Sequence, residues 1–304
     1  MFPKLTILNC GSAKPTDTQS PSSQIFHLRA KDYLIDCGEG TQLTMAQMGI
    51  LPPSRLNNIF ISHLHADHCL GLIGLLSTLG MLHRTADINI FAPAPAKKIL
   101  QPQLDFFCDD ITYKININEI NPRKNEIILE DNTIRISTIP LKHKVPCCGY
   151  LFEEQQKLRH YCKDIGDRFN IPIAYINKIK QGEDYITEQG DTIPNSLLTT
   201  DPEPPFRYAY CSDTAYYEKI IPIIEGVDCL YHEATFLTER QQRAKETGHS
   251  TATQAATIAK MAKVKQLIIG HFSSRYQQFE DFLKEAQEIF PNTRLATKQT
   301  IINF

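Results

Sequence analysis

Residues 62–68 read Ser62-His63-Leu64-His65-Ala66-Asp67-His68. Three histidines and an aspartate fall within six positions, directly after the apolar run Asn58–Ile61. On a loop at a strand end, His63 and His65 can point to one side while Asp67 and His68 turn toward a second point. Imidazole and carboxylate together suit zinc or a similar first-row metal. A surface histidine cluster or a tag-like run is the plain alternative, and the placement between a strand and a helix argues against it.

Two metals need more ligands, and the chain has only ten histidines. His143 follows the strand-like run Thr133–Ile139, Asp213 follows Arg207–Tyr210, and His271 follows Gln266–Ile269. Each alone is more often a core or surface residue than a ligand. Their shared position after strands, where loops gather side chains at a sheet edge, raises all three. A bridging carboxylate such as Asp213 would hold two metals about 3.5–4 Å apart. Two pairs remain. His232-Glu233-Ala234-Thr235 ends a strand, and Gly248-His249-Ser250-Thr251 opens a helix. Ser250 or Thr251 can cap that helix. His249 has no such task, and a pKa near neutral fits it for donating a proton. Glu233 could orient it and favour its charged form. A plain surface pair is the other reading, and spacing alone does not separate the two.

The chain around these residues has 304 positions, 42% hydrophobic and 22% charged. Both fractions are those of a globular protein and exclude a fibrous or disordered one. No run approaches the roughly 18 apolar residues of a membrane span. The opening Met1-Phe2-Pro3-Lys4-Leu5-Thr6 has no basic region followed by an apolar stretch, so no signal peptide is read. The net charge of -2 excludes a globally basic nucleic-acid coat but not a local basic patch. Nine scattered cysteines without a C-x-x-C pair point to a reducing compartment, the cytoplasm, rather than a disulfide framework.

Short strand-like runs alternate with helical ones. Leu72, Leu75, Leu76 and Leu79 mark a helix over Leu70–Leu82, and helices are expected over Gly40–Met48, Ala94–Phe106, Ala252–Ala262 and Phe279–Ile289. Such mixed alternation predicts an α/β fold in layers. The rhythm stops over residues 153–205. There, Gln156–Phe169 reads as a charged helix. Lys157, Arg159, Lys163, Arg168, Lys178 and Lys180 face only Asp164 and Asp167, a local charge of +4. A solvated helix face is the ordinary fate of such a run. A projecting arm that contacts phosphates is the sharper one.

The set His63, His65, Asp67, His68, His143, Asp213 and His271 resembles the metallo-β-lactamase superfamily. That resemblance implies an αβ/βα four-layer sandwich with two metals at one edge of the sheets. Asp36-Cys37-Gly38-Glu39-Gly40-Thr41-Gln42, His232-Glu233-Ala234-Thr235-Phe236, Gly248-His249-Ser250-Thr251 and His271-Phe272-Ser273-Ser274-Arg275-Tyr276 narrow it to the ribonuclease Z family, in its short form. The family removes 3′ trailers from precursor tRNA.

Carried over by position, His63, His65 and His143 would bind one zinc ion. Asp67, His68 and His271 would bind the other, with Asp213 bridging. Asp67 would also act as general base, and His249, paired with Glu233, would protonate the leaving 3′ oxygen. The products would be tRNA with a 3′-OH and a trailer with a 5′-phosphate. The resemblance further implies one domain over residues 1–304 and a homodimer. It turns the basic segment into part of an inserted, tRNA-gripping arm, and it makes Arg275 a candidate for substrate contact. Two departures stand out. The family's arm often carries Gly-Pro where this chain has Asn170-Ile171-Pro172-Ile173, and Ala215-Tyr216 replaces an Arg-Pro after Asp213-Thr214.

Overall fold

The computed structural model describes residues 2–304. The first half of the chain supplies β1 (Lys4–Asn9), β2 (Ser23–Leu28), β3 (Lys31–Ile35), β4 (Leu56–Phe60), β5 (Ile88–Pro93) and β6 (Ile115–Ile120). Between them lie α1 (Thr41–Gln47), α2 (Ala66–Cys69), α3 (Gly71–Met81) and α4 (Ala96–Phe107). Next come β7 (Ile127–Glu130), β8 (Ile134–Pro140) and β9 (Cys148–Glu154).

The segment Glu154–Pro205 forms a compact unit of its own, separate from the chain before it and from Phe206–Phe304. It contains β10 (His160–Tyr161), α5 (Lys163–Arg168), α6 (Ile173–Lys180), β11 (Tyr185–Ile186), β12 (Thr192–Ile193), α7 (Asn195–Leu198) and β13 (Thr199–Thr200). The last part gives β14 (Arg207–Cys211), α8 (Ile221–Ile224), β15 (Cys229–Glu233), α9 (Gln241–Thr247), α10 (Ala252–Met261), β16 (Gln266–Gly270), α11 (Glu280–Gln287), β17 (Thr293–Leu295) and β18 (Thr300–Asn303).

Two seven-stranded sheets carry the larger unit. One has the order β18-β1-β2-β3-β4-β5-β6, antiparallel from β18 to β3 and parallel from β3 to β6. The other has the order β17-β16-β15-β14-β9-β8-β7, parallel from β17 to β14. Neighbouring residues of a strand face opposite ways, so each strand feeds two cores. Phe26 and Phe60 enter a core shared by both sheets, where Tyr150, Phe152 and Tyr208 meet them. Ile25 and Ile59 instead pack under α1, α3 and α4, against Leu72, Leu75, Leu76 and Leu79. Leu230 and Ile268 part in the same way in the second sheet, Leu230 lying under Ala252, Ala256 and Phe282. The result is helices, sheet, sheet, helices, the four layers that the resemblance implied.

The middle layer is aromatic. The Phe60 ring stacks on Phe91 at 5.0 Å and meets Tyr150 edge-on at 5.2 Å and Phe152 at 5.5 Å. Such contacts add to the burial term and prefer one spacing, so they set the distance between the sheets.

The smaller unit has its own core of Ile179, Tyr185, Ile193 and Leu198. It corrects one expectation. Gln156–Phe169 is not a single helix: β10 pairs antiparallel with β13, Arg159 N–H donates to Lys180 O at 2.9 Å, and the helix begins only at Lys163. Pairing with residues twenty to forty positions away overrides the local helical pattern. The charge also changes when the whole unit is counted. No base follows Lys180, and Glu154–Pro205 carries six bases against nine acids, a net of −3. All nine cysteines are free thiols, and only Cys162, in this unit, is not buried. No helix among the described residues is long and apolar enough to cross a membrane.

Phe60→Ala should destabilise the protein by about 3–5 kcal/mol, because the aromatic layer cannot close over the loss. Urea unfolding of the two proteins at equal denaturant slope measures it, and a change under about 1 kcal/mol would show that the sheets are spaced by something else.

Candidate metal centre and active site

The loops at one end of the two sheets converge. His63 follows β4, and α2 begins one residue after His65, so Asp67 and His68 sit on a helical turn rather than on the loop expected from the sequence. His143 follows β8, Asp213 follows β14, Glu233 ends β15 and His271 follows β16. His271 and Asp36 both have left-handed backbones, with φ of 61° and 55°. A non-glycine residue holds that conformation only where its surroundings over-determine it.

Asp213 is the meeting point. Its Oδ2 faces His63 Nε2 at 3.6 Å and His143 Nε2 at 3.7 Å. Its Oδ1 faces His68 Nε2 and His271 Nε2, both at 3.3 Å. His63 Nε2 lies 2.9 Å from His65 Nδ1, and Asp67 Oδ2 lies 3.5 Å from both His68 Nε2 and His271 Nε2. Two groups of donor atoms result, His63, His65, His143 and Asp213 on one side and Asp67, His68 and His271 on the other, each close enough to hold a metal ion.

The outer nitrogens show which way the imidazoles are set. His68 Nδ1 donates to Asp36 Oδ2 at 2.7 Å, and His143 Nδ1 donates to Gly248 O at 2.8 Å. The Thr235 hydroxyl donates to Glu233 Oε2 at 2.7 Å and therefore accepts from His271 Nδ1 at 3.0 Å. The Ser62 hydroxyl donates to Asp36 and accepts from His63 Nδ1 at 3.0 Å. Each bond leaves a lone pair on the inward Nε2, the form a metal ligand requires. The Nε2 atoms of His68 and His271 are buried and have no hydrogen-bond partner among the described residues. Buried nitrogens without partners are costly in an ordinary core and fit donors to a cation. Burial pushes the His63 and His143 imidazoles down, toward the neutral form that binds metal. Burial opposes charge on His68 too, but Asp213 and Asp36 flank it and raise it.

Glu233 and His249 form the pair expected from the sequence. His249 Nδ1 donates to Glu233 Oε1 at 2.9 Å and lies 3.9 Å from Asp213 Oδ2. Burial works against charge on His249, yet Glu233 and Asp213 outweigh it and raise its pKa to about 9. Burial would likewise raise Glu233, but His249 holds it below the usual carboxylate range. Glu233 also accepts from the N–H groups of Thr214, Ser250 and Thr235, so its position is fixed by backbone. Of the two possible caps, Thr251 takes the role. It accepts from Gln254 N–H, while Gln254 Oε1 accepts from Thr251 N–H, a capping box on α10.

Arg275 is exposed and lines the cleft that holds the cluster. The six basic residues of residues 157–180 lie in the other unit. Lys157 pairs with Glu154 at 3.3 Å and Arg159 pairs with Asp201, whereas Lys163, Arg168 and Lys178 stand exposed on α5 and α6. Sequence reading passed over Asp36 as a site residue. It is fully buried and accepts from Ser62 N–H, Ser62 Oγ, His68 Nδ1 and Tyr210 Oη. Its place in Asp36-Cys37-Gly38 at the end of β3 was the available signal. Gly38 and Gly71 explain that motif's glycine: a Cβ on Gly71 would lie 2.1 Å from Gly38 O, so only glycine lets the Asp36 turn lie against the start of α3.

The fold and the donor set define a metallo-β-lactamase-type hydrolase scaffold, and a family model described as the beta-lactamase superfamily domain matches residues 31–172 and 188–272. A ribonuclease Z from Parabacteroides distasonis is 52% identical over 96% of this chain and 95% of its own, and one from Bacteroides fragilis is 48% identical over 99% and 98%. The crystal structure of the short form of human tRNase Z shares the fold, with a TM-score of 0.71 at 22% identity over 99% of this chain and 98% of that one. The chain belongs to the ribonuclease Z family of the β-lactamase superfamily.

Asp36→Asn should lower metal affinity about 10- to 100-fold while the fold persists, since it removes the charge and one of the two oxygens that together accept four donors, His68 Nδ1 among them. Competition with a graded chelator measures this, with circular dichroism as the control. Unchanged affinity would show that His68 is oriented without Asp36.

Proposed function

We propose that this chain is a zinc-dependent endoribonuclease that removes the 3′ trailer from precursor tRNA, leaving a tRNA 3′-OH and a trailer 5′-phosphate. One observation carries the reading. Asp213 turns one oxygen to each of two groups of inward-facing donors, and a histidine charged by a buried glutamate stands beside it. The relatives named ribonuclease Z supply the substrate.

His63, His65 and His143 would hold one zinc ion, Asp67, His68 and His271 the second, and Asp213 both. Nitrogen and oxygen donors without thiolate suit zinc. When bound, the pair supplies a nucleophilic water at neutral pH and neutralises charge on the phosphate. The chain's own residues do the rest. Asp67 Oδ2 accepts from Ala13 N–H at 2.8 Å and faces His68 and His271, which leaves Oδ1 to take a proton from the attacking water. His249, kept protonated by Glu233, gives a proton to the departing 3′ oxygen. Its ring lines the cleft, whereas Glu233 lies wholly behind it.

Residues 153–205 act as an inserted arm that grips folded RNA through its backbone, with Lys163, Arg168 and Lys178 as the available cations. The enzyme works as a cytoplasmic homodimer, a reading supported by the family's habit and by the free thiols.

Zinc-loaded protein given end-labelled precursor tRNA should make a single cut after the discriminator base, and Asp67→Ala should make none. Hydrolysis of a small phosphodiester without that cut would refute the tRNA reading.

His249→Ala and Glu233→Gln should each lower kcat by about 10²- to 10⁴-fold, and the double variant should lose clearly less than the product of the two, because Glu233 acts in large part through His249. Additive losses in single-turnover kinetics would separate their roles.

Deleting the arm should weaken precursor binding and spare a small phosphodiester. Equal loss on both would assign the arm to folding instead.

A further inference from the structure

A second cleft meets the catalytic one at His249, the one residue that lines both. The wall of the catalytic cleft carries Lys144 and Arg243. The second cleft carries Lys142 and Lys245, and no acidic side chain lines it. These four cations come from two short segments in register. Lys142 and Lys144 flank His143, and Arg243 and Lys245 stand two apart on α9. The segments are tied by the bond from His143 Nδ1 to Gly248 O, just past the C-terminal end of α9. All four side chains are exposed, and among the described residues only Arg243 makes an ion pair, with Glu246 at 3.6 Å.

A third groove meets the catalytic cleft elsewhere, at Ser12, Lys14 and Ser274. It offers Lys14 against Asp17, with Tyr276 and Phe279 beside them, so it has no net charge. Arg275 and Lys14 also line the catalytic cleft, but the four cations beside His249 are the larger group, and no acidic side chain lines the second cleft into which they continue.

The chemistry gives that side a direction. His249 protonates the oxygen that leaves, and this oxygen is the 3′ oxygen of the nucleotide on the 5′ side of the cut. RNA running past His249 is the part that becomes mature tRNA. We propose that Lys142, Lys144, Arg243 and Lys245 form a phosphate-binding track for the RNA backbone on the 5′ side of the scissile bond. The track rests on the tRNA-processing reading and deepens it. Its residues are positioning residues: they touch flanking phosphates, read no bases, and set the register of the strand against His249.

The test uses zinc-loaded Lys142→Gln/Lys245→Gln with precursor tRNA across a salt series. KM should rise about tenfold with kcat within about twofold. The slope of log(kcat/KM) against log salt should fall by about 0.7–0.9 for each phosphate that the variant no longer neutralises. A small phosphodiester, which has no flanking phosphates, reads whether the catalytic centre survives and should change less than about twofold. Methylphosphonates then locate the track on the strand. Neutral linkages on the 5′ side should cost the wild type what the substitutions cost and cost the variant little more, whereas neutral linkages on the 3′ side should weaken both alike. An unchanged salt slope, or coupling to the 3′ side, overturns the track while the tRNA reading stands. Failure of the wild type to cut the precursor overturns both.

Discussion

A carboxylate sealed among imidazoles is the constraint on which the structure turns. Asp213 is buried, and a buried charge persists only when opposite charge and hydrogen bonds answer it. Its answering groups come from positions 63 to 271 of the chain and stand within 4 Å of its two oxygens. No single segment can supply them. They arrive because β4 belongs to one sheet and β8, β14, β15 and β16 to the other, with all five ending at the same edge. The aromatic layer around Phe60 holds the two sheets at the spacing that this meeting needs.

Behind the inward atoms stands a second polar layer, built around two carboxylates. Asp36 takes four donors and aims His68, while Glu233 takes five and aims His249 and, through Thr235, His271. Glu233 thus links His271, which faces Asp213, to His249. A change at Glu233 therefore reaches both His249 and, through Thr235, His271.

Much of this was legible in the residues. His63 to His68 after an apolar strand announced the donor cluster, and the four leucines of α3 announced the helix that packs on the first sheet. What the chain hid was non-local. α2 has four residues, too few to show a period. β18 exists because Lys4–Ile7 offers it an edge almost three hundred residues earlier. The charged run at Gln156 looked helical until β13 paired with β10. Its local charge of +4 turns to −3 once Glu154 and the acids from Glu183 to Glu203 are counted with it. Asp36 sat in plain view within a quoted motif, but its four donors lie up to 174 positions away, and no local pattern shows that.

The distribution of thiols has a practical side. Burial raises the pKa of eight cysteines, to about 12 at Cys10, Cys37 and Cys148, and so withholds the thiolate that reacts. Cys162 alone is partly open, at the start of α5. The native chain therefore carries a single addressable labelling position. A fluorophore or spin label placed there reports on the environment of the Glu154–Pro205 unit and leaves the buried thiols untouched.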